Sequence, residues 1–554
     1  MSSVSKRAMG TNSRTIVGFL TLLLLISFIT PLSKINDNSN IVPIIVDNNE
    51  YDDIEGWDEL NNAQKKAMVD WSRNGDSNDV SLIGITTPQP IDCQEEASIC
   101  GIHVIDIEVD SEQNLYLAGN YREHAKFGDL IISGSKTNGF LAKLDPTGTW
   151  SWVSDYGNDD FVWTSSISLD SNNNVYIAGE YRGNLTIGNT TFFHGNSMIY
   201  DNGDLPQKGF ISKYSNEGSW IWSKNITGDQ SFSIVMDIAI DLNDDAIVTF
   251  AGCGEVELDD FTFIMSEDDW TTGCTYDNAI AKLSKNGEWV WFSKTSSTQQ
   301  YKVLNVHTDN LNNIYIFGIY YERIYFGQTL MLEESLGGTG LFVAKLDNEG
   351  EWIWANGAYT NGFGNPCTIK DDSISPADSS IDSEGNIVVV GAYDCPRFYF
   401  GQQYISAGAK ETGIYVAKMN NTGEWQWVIE ADGLGRDEAT SVDTDIDGDI
   451  YVTGYFEGEI TFGDVNLVSV DGYDVFLTKI DKNGTTIWST KGGEGGNDYA
   501  HNVIISDSKK AYVIGQYRGT TTFAGNSLFD GGLYSSNKGD VFIFSFDTNI
   551  AVNE

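Results

Sequence analysis

Seven related segments recur along this chain, and a repeat of that kind constrains the fold more than any other feature of the sequence. They start at Asn114 (N-L-Y-L-A-G-N-Y), Asn174, Asp245, Asn313, Asn386, Asp449 and Ala511, spaced 60 to 73 residues apart. An Asp stands four residues before each start, at Asp110, Asp170, Asp241, Asp309, Asp382, Asp445 and Asp507. Each closes an alternating apolar run. Asp and Asn bond their own backbone in tight turns, so the pair reads as a hairpin joining a strand a to a Tyr/Val-rich strand b.

After strand b comes a variable segment with a second small hairpin signal, as in Phe127-Gly128, Phe326-Gly327, Phe400-Gly401 and Phe462-Gly463. A strand c of the type F-L-A-K-L-D follows, then a Gly turn, then a strand d. Strand d carries Trp-x-Trp at Trp150/Trp152, Trp220/Trp222, Trp289/Trp291, Trp352/Trp354 and Trp425/Trp427, with Thr486/Trp488 in the sixth copy. Period-two spacing places both rings on one sheet face. Repetition in nearly every copy points to packing between neighbouring units rather than to a ligand platform.

The predicted fold is therefore all-β: a single seven-bladed β-propeller of four-stranded antiparallel blades over residues 66–548, with 549–554 as a C-terminal tail. The seventh copy ends without a strand d, which leaves an unpaired edge. Residues 66–72, around Trp71, resemble a strand d and are expected to complete the last blade. In a four-stranded blade the b–c and d–a connections leave at the same face, and the longer insertions fall there, which is where function is expected.

The repeat unit, D-x-x-x-N-x-Y-x-x-G-x-Y followed by F-G, F-x-A-K-L-D and G-x-W-x-W, resembles the β-propeller repeat (SBBP) family of exported bacterial and archaeal proteins. The likeness runs over about residues 66–548 and is best at Asn114 to Trp152, Asn174 to Trp222, Asn313 to Trp354 and Asp449 to Trp488. The third copy departs, lacking the Tyr and the Phe-Gly after Asp245. The resemblance implies a propeller and a surface or secreted address, with no defined activity and no functional residue to carry over.

Lys6, Arg7 and Arg14 precede an apolar run from Ile16 to about Thr30, the pattern of a signal peptide or an N-terminal membrane anchor over residues 1–33. An acidic linker fills 34–65. The expected location is secreted, or the extracellular face of the cytoplasmic membrane. With 33 basic and 79 acidic residues the formal charge is −46, which repels nucleic acid. The expected partner is an extracellular protein or glycan, the expected state a monomer. In an exported chain Cys93, Cys100, Cys253, Cys274, Cys367 and Cys395 point to disulfides between sequence neighbours.

Catalytic signatures are absent: there is no G-x-S-x-G, H-E-x-x-H, P-loop or Rossmann fingerprint. Two weaker constellations remain. Asp443, Asp445, Asp447 and Asp449 have calcium-loop spacing with Gly448 at the sixth position, although position twelve is Gly454. An ordinary a–b turn explains them better, and no cofactor is expected apart from this weak candidate. Trp163 with Asp160, and Trp270 with Asp269, place aromatic rings beside carboxylates in a d–a and a b–c loop, a combination suited to sugars or cations. The first expectation for function is a binding or scaffold module; the alternative is an extracellular glycosidase or lyase using carboxylates at the channel mouth.

Overall fold

A computed structural model describes residues 80–81, 89–90 and most of 102–548, with breaks including 194–205, 266–276, 361–373 and 530–539. The strands discussed below belong to one compact unit, residues 81–521 with 528–554. All are β, and no helix occurs among the described residues. The predicted closing strand at 66–72 lies outside the described residues, as do Trp270, Asp269 and five of the six cysteines. Cys253 is buried at the end of a strand b.

Each of the first six repeats builds the antiparallel order a–b–c–d, and the seventh supplies a–b–c as Tyr499–Ile505, Lys510–Tyr517 and Asp540–Asp547. In the first these strands are Ile102–Val109, Leu115–Phe127, Leu130–Leu144 and Trp150–Tyr156. In the fourth they are Lys302–Thr308, Ile314–Tyr321, Thr339–Leu346 and Trp352–Thr360. Strands b and c are buried on both faces, as central strands packed between neighbouring sheets must be. The a strands of successive repeats pack on one another, and the a strand of the seventh, Tyr499–Ile505, packs on that of the first. The architecture is propeller-like.

The a–b turn is an Asp-capped hairpin. Asp110 Oδ1 accepts the Glu112 and Asn114 backbone N–H groups at 3.0 and 2.9 Å, and Asp309 does the same for Leu311 and Asn313. The strand-c lysine reaches each of these buried carboxylates: Lys213 to Asp170 at 2.8 Å, Lys282 to Asp241 at 2.6 Å, Lys418 to Asp382 at 2.8 Å. In the seventh repeat the turn closes one residue earlier than the sequence pattern suggested. Ser506, not Asp507, receives the Lys510 backbone N–H on its Oγ at 3.1 Å, and its own N–H donates to the Lys510 carbonyl at 2.9 Å. Ser545 then faces Tyr512 where the other repeats have lysine, so both halves of the ion pair are replaced together. Losing one half alone would leave a buried charge unpaired.

The two tryptophans of strand d do different work. The first packs in its own repeat against the Phe-Gly hairpin, with Phe127 edge-on to Trp150 at 5.0 Å and Phe400 edge-on to Trp425 at 4.9 Å. The second crosses to the next repeat. Trp152 donates its Nε1–H to the Asn216 carbonyl at 3.1 Å, Trp291 to that of Asn348 at 3.0 Å, and Trp427 to that of Lys482 at 3.2 Å. These rings lie on the left-handed glycines of the neighbouring c–d turns; a Cβ on Gly350, at φ +84°, would stand 2.8 Å from Trp291. The rings are therefore seam elements, as their repetition implied.

The small hairpin inside the b–c segment does more than lengthen the unit, because it pairs with strand d of the preceding repeat. Thr295–Ser297 of the third repeat hydrogen-bonds to the fourth repeat's hairpin, and Ala358–Thr360 of the fourth to that of the fifth. Asp432 and Gly433 do the same for the sixth, while single bridges at Gly157 and Thr227 mark the junctions of the first and second repeats. In the first repeat the hairpin pairs instead with Gln89–Pro90, ahead of the repeats. At these junctions strand d is thus covered by the next unit rather than left as the open edge of an isolated blade.

Candidate functional site

Every a strand carries a β-bulge at the same point, between Val104 and Asp106 in the first repeat and between Ala500 and Asn502 in the seventh. A bulge turns the following side chain aside from the ladder. The residues so placed are Asp106, Ser166, Asp237, Asn305, Asp378, Ser441 and Asn502. All are short and polar, and they tie the repeats together in order.

Asp106 accepts the Ile167 N–H at 3.0 Å, and Ser166 donates to Asp237 at 2.7 Å. Asp237 accepts the Val306 N–H at 2.7 Å, and Asn305 donates to Asp378 at 3.2 Å. Asp378 takes the Ser441 hydroxyl and the Val442 N–H at 2.8 and 3.0 Å. Ser441 receives the Val503 N–H at 3.3 Å, and Asn502 donates to Asp106 at 3.0 Å.

The acids of this belt are electrostatically unusual. Burial pushes Asp106 and Asp237 up to about 7 and Asp443 to about 6, and it raises Asp378 and, further, Glu108. Hydrogen bonds received from backbone N–H groups pull against that shift, and the acids reinforce it in one another. Their side chains nonetheless keep part of their surface accessible. Burial also depresses His307 to about 4, and His501 to about 4 with help from His103.

One turn of the ladder above the belt, three residues before it, the register position is occupied by His103, Trp163, Ile234, Lys302, Ser375, Glu438 and Tyr499. No two repeats share a residue there. Trp163 sits opposite Glu180 across the strand pair and stacks on Phe161, with planes 7° apart and centroids 6.3 Å apart. Arg182 covers Phe161 at 4.9 Å. Burial lifts Glu180 to about 7 against the pull of Arg182, Gln207 and Lys302, while burial lowers Lys302 despite Glu180. On the opposite side of the series Tyr455 bonds Glu438, and Tyr499 meets Tyr455 edge-on at 4.9 Å. The arrangement offers aromatic faces, a carboxyl near its neutral point and an ammonium, a set that can bind a polar ligand from several directions.

Trp163 thus lies on strand a of the second repeat, Phe161–Leu169, rather than in a loop. Asp160 precedes it, 3.9 Å from Lys136, with both side chains well exposed. The calcium-spaced carboxylates divide between two environments. Asp443 belongs to the inner strand and accepts the Ile505 N–H at 2.7 Å. Asp445 caps its turn, with Lys479 at 3.9 Å and Lys509 at 3.6 Å. Asp449 pairs with Lys479 at 3.0 Å, and Asp447 with Lys509. Two ammonium groups occupy the positions where an ion's charge would act. Among the described residues no group of three or more His, Cys, Asp or Glu side chains is arranged to hold a metal.

The belt was missed in the sequence, though a signal exists. Eight residues before Asn114, Asn174, Asp245, Asn313, Asn386 and Asp449 stand Asp, Ser, Asp, Asn, Asp and Ser, and eight before Lys510 stands Asn502. Taking Ala511 as the seventh start puts Val503 in that column and breaks it.

No family model matches the chain. An uncharacterised WD-repeat-containing protein of Acanthamoeba polyphaga mimivirus is 23% identical over 506 residues, covering 66% of this chain and 36% of that protein. The regulatory protein FlaEY of Caulobacter vibrioides is 25% identical over 179 residues, covering 31% and 18%. The chain therefore spans about a third of the first relative and less than a fifth of the second. Among solved structures, a Bacteroides caccae protein of unknown function superimposes with TM-score 0.31 at 11% identity, covering 64% of this chain and 89% of that one. A Xanthomonas campestris gluconolactonase gives TM-score 0.29 at 8% identity, covering 74% and 90%.

Proposed function

We propose that this chain is a closed, seven-bladed propeller that works outside the cell as a binding or scaffold module for a protein or glycan, and that the ligand is taken at the mouth of the inner strands. One observation carries the reading. Where the repeats share a residue type the side chain serves the seams, and where they differ from copy to copy, at His103, Trp163, Lys302, Glu438 and Tyr499, the side chains are partly exposed. A surface conserved by repetition is structural; one that varies at a fixed register is free to be selected for a ligand.

Closure is supported by the seven-step hydrogen-bond series that returns to Asp106. Gln89–Pro90 stands where a preceding strand d stands in the other repeats, which favours the N-terminal segment as the piece that completes the last blade. Membership of the SBBP group, export or membrane anchoring by residues 1–33, disulfides among the cysteines and a monomeric state belong to the same proposal.

The enzyme alternative draws on one specific observation: Asp106 and Asp237, held near 7, could act as general acids. Against it, both acids are committed to inter-repeat bonds. The test is to screen the purified full chain against polysaccharides and exported proteins for both retention and product release. Binding without product, weakened by Trp163→Ala, is the expected result. Release of oligosaccharide that disappears in Asp237→Asn would make the enzyme reading correct instead.

A further inference from the structure

The hairpin of the fifth repeat carries a feature that its counterparts lack. Tyr359, near the end of strand d of the fourth repeat, pairs with Tyr399 on the first hairpin strand, Phe398–Phe400. Tyr399 pairs in turn with Tyr404 on the second, Gln403–Ile405. Directly opposed residues on antiparallel strands project from the same face, so three phenol rings form a row across three strands. Their centroids are 5.7 and 5.6 Å apart, with planes 12° and 42° from parallel. Tyr359 is 39% and Tyr404 52% exposed.

The other face of the hairpin supplies the core through Phe398, Phe400 and Ile405, all buried. The same register in the neighbouring junctions reads Ser296, Tyr325 and Met331 in one case and Asp432, Thr461 and Asn466 in the other. Polar groups flank the row. The Arg397 guanidinium lies 5.1 Å over the Tyr404 ring and donates to the Tyr399 hydroxyl at 3.5 Å, and exposed Gln403 donates to the Gln426 carbonyl at 2.9 Å.

We infer that Tyr359, Tyr399 and Tyr404 form a platform for a neutral polysaccharide, whose apolar C–H ring faces lie on the phenols while its hydroxyls bond Arg397 and Gln403. Size and charge select this occupant. Three rings are far less than the roughly 800 Å² per partner that a stable protein interface buries. A net charge of −46 repels polyanions at long range, which disfavours acidic glycans. The inference deepens the glycan half of the binding-module reading, but it lies on a blade's outer face and not at the inner-strand mouth, so each can fail without the other.

Affinity electrophoresis of the full chain tests it, in gels cast with hydroxyethylcellulose, glucomannan or laminarin as neutral probes and alginate as the polyanion. Retardation by at least one neutral glycan and none by alginate is expected. The Tyr359→Ala/Tyr404→Ala protein should bind that glycan about tenfold more weakly, with an unchanged melting temperature, while Tyr404→Trp should bind as the parent does. The inference is overturned by no retardation in any neutral gel, by stronger retardation in alginate, or by a double variant retarded like the parent.

Discussion

Asn502 donates a side-chain N–H to Asp106 Oδ1 at 3.0 Å, across 396 residues of chain. Asp106 also accepts the Ile167 N–H from the second repeat, so one carboxylate joins three repeats. The adjacent bonds from Gln516 to His103 at 3.1 Å and from Tyr512 to Gln113 at 3.3 Å make the same junction. A carboxylate in that position has to be well hydrogen-bonded because solvent does little to stabilise its charge.

A pH dependence of unusual sign follows from the belt. An unfolded Asp loses its proton near pH 4, whereas folded Asp106 and Asp237 keep theirs to about 7 and Asp443 to about 6. Between those limits the folded chain holds more protons, so these groups make stability fall as pH rises from about 4 to 7 and then level off. His307 and His501, depressed to about 4, work in the opposite direction over about pH 4 to 6.5. Asp237→Asn removes one acid from this balance. Melting curves from pH 5 to 8 should show that variant losing less stability toward pH 8 than the parent; an identical slope would show that Asp237 is not protonated in the fold.

The tryptophan seam predicts an asymmetric pair of substitutions. Trp291→Ala removes a ring that covers Gly350 and bonds the Asn348 carbonyl, at a cost of about 3 kcal/mol. Gly350→Ala should cost about 1–2 kcal/mol through its φ of +84° and the close approach to Trp291. In the double variant the steric part of the glycine effect disappears, so the two costs should add to less than their sum. Denaturant titration of the four proteins measures it, and strict additivity would place the ring elsewhere.

The buried ion pair makes a third prediction. Burial alone would raise Asp170, yet Lys213 and the Asn174 groups hold it below its usual range. Lys213→Met leaves that carboxylate without its cation, 1% exposed, and should cost about 3 kcal/mol or more. Changing both residues to serine copies the Ser506 and Ser545 arrangement of the seventh repeat. That double variant should be more stable than Lys213→Met; if it is less stable, the seventh repeat's paired serines are not a compensated replacement.

Much of the scaffold was legible in the residues because repetition multiplies weak signals. The Asp-x-x-x-Asn turn and the Trp-x-Trp pair each occur too often to be ligand devices, and both proved to be turn and seam elements. What the hairpins do was not legible: Phe326-Gly327 marks a turn, but nothing in its composition says that Arg323–Phe326 pairs with Ser297 of the preceding repeat. Strand pairing depends on topology, and only the fold sets it. The inner belt was hidden by an alignment slip of one residue at Ala511, since period-two strands transpose faces with such a shift. Trp163 was expected in a loop beside Asp160; it lies on a strand, and its partner across the ladder is Glu180, nineteen positions from the Phe161 that begins that strand.

The proposed ring is tested most directly by a distance. Glu112 and Ser508 are exposed positions in the a–b turns of the first and seventh repeats, and exposed Asp447 holds the matching place in the sixth. With spin labels at 112 and 508, pulsed electron resonance on the full chain should return a separation like that between labels at 447 and 508, which belong to consecutive repeats. A separation several times larger, or a broad distribution with no short component, would mean that the first and seventh repeats do not meet in solution.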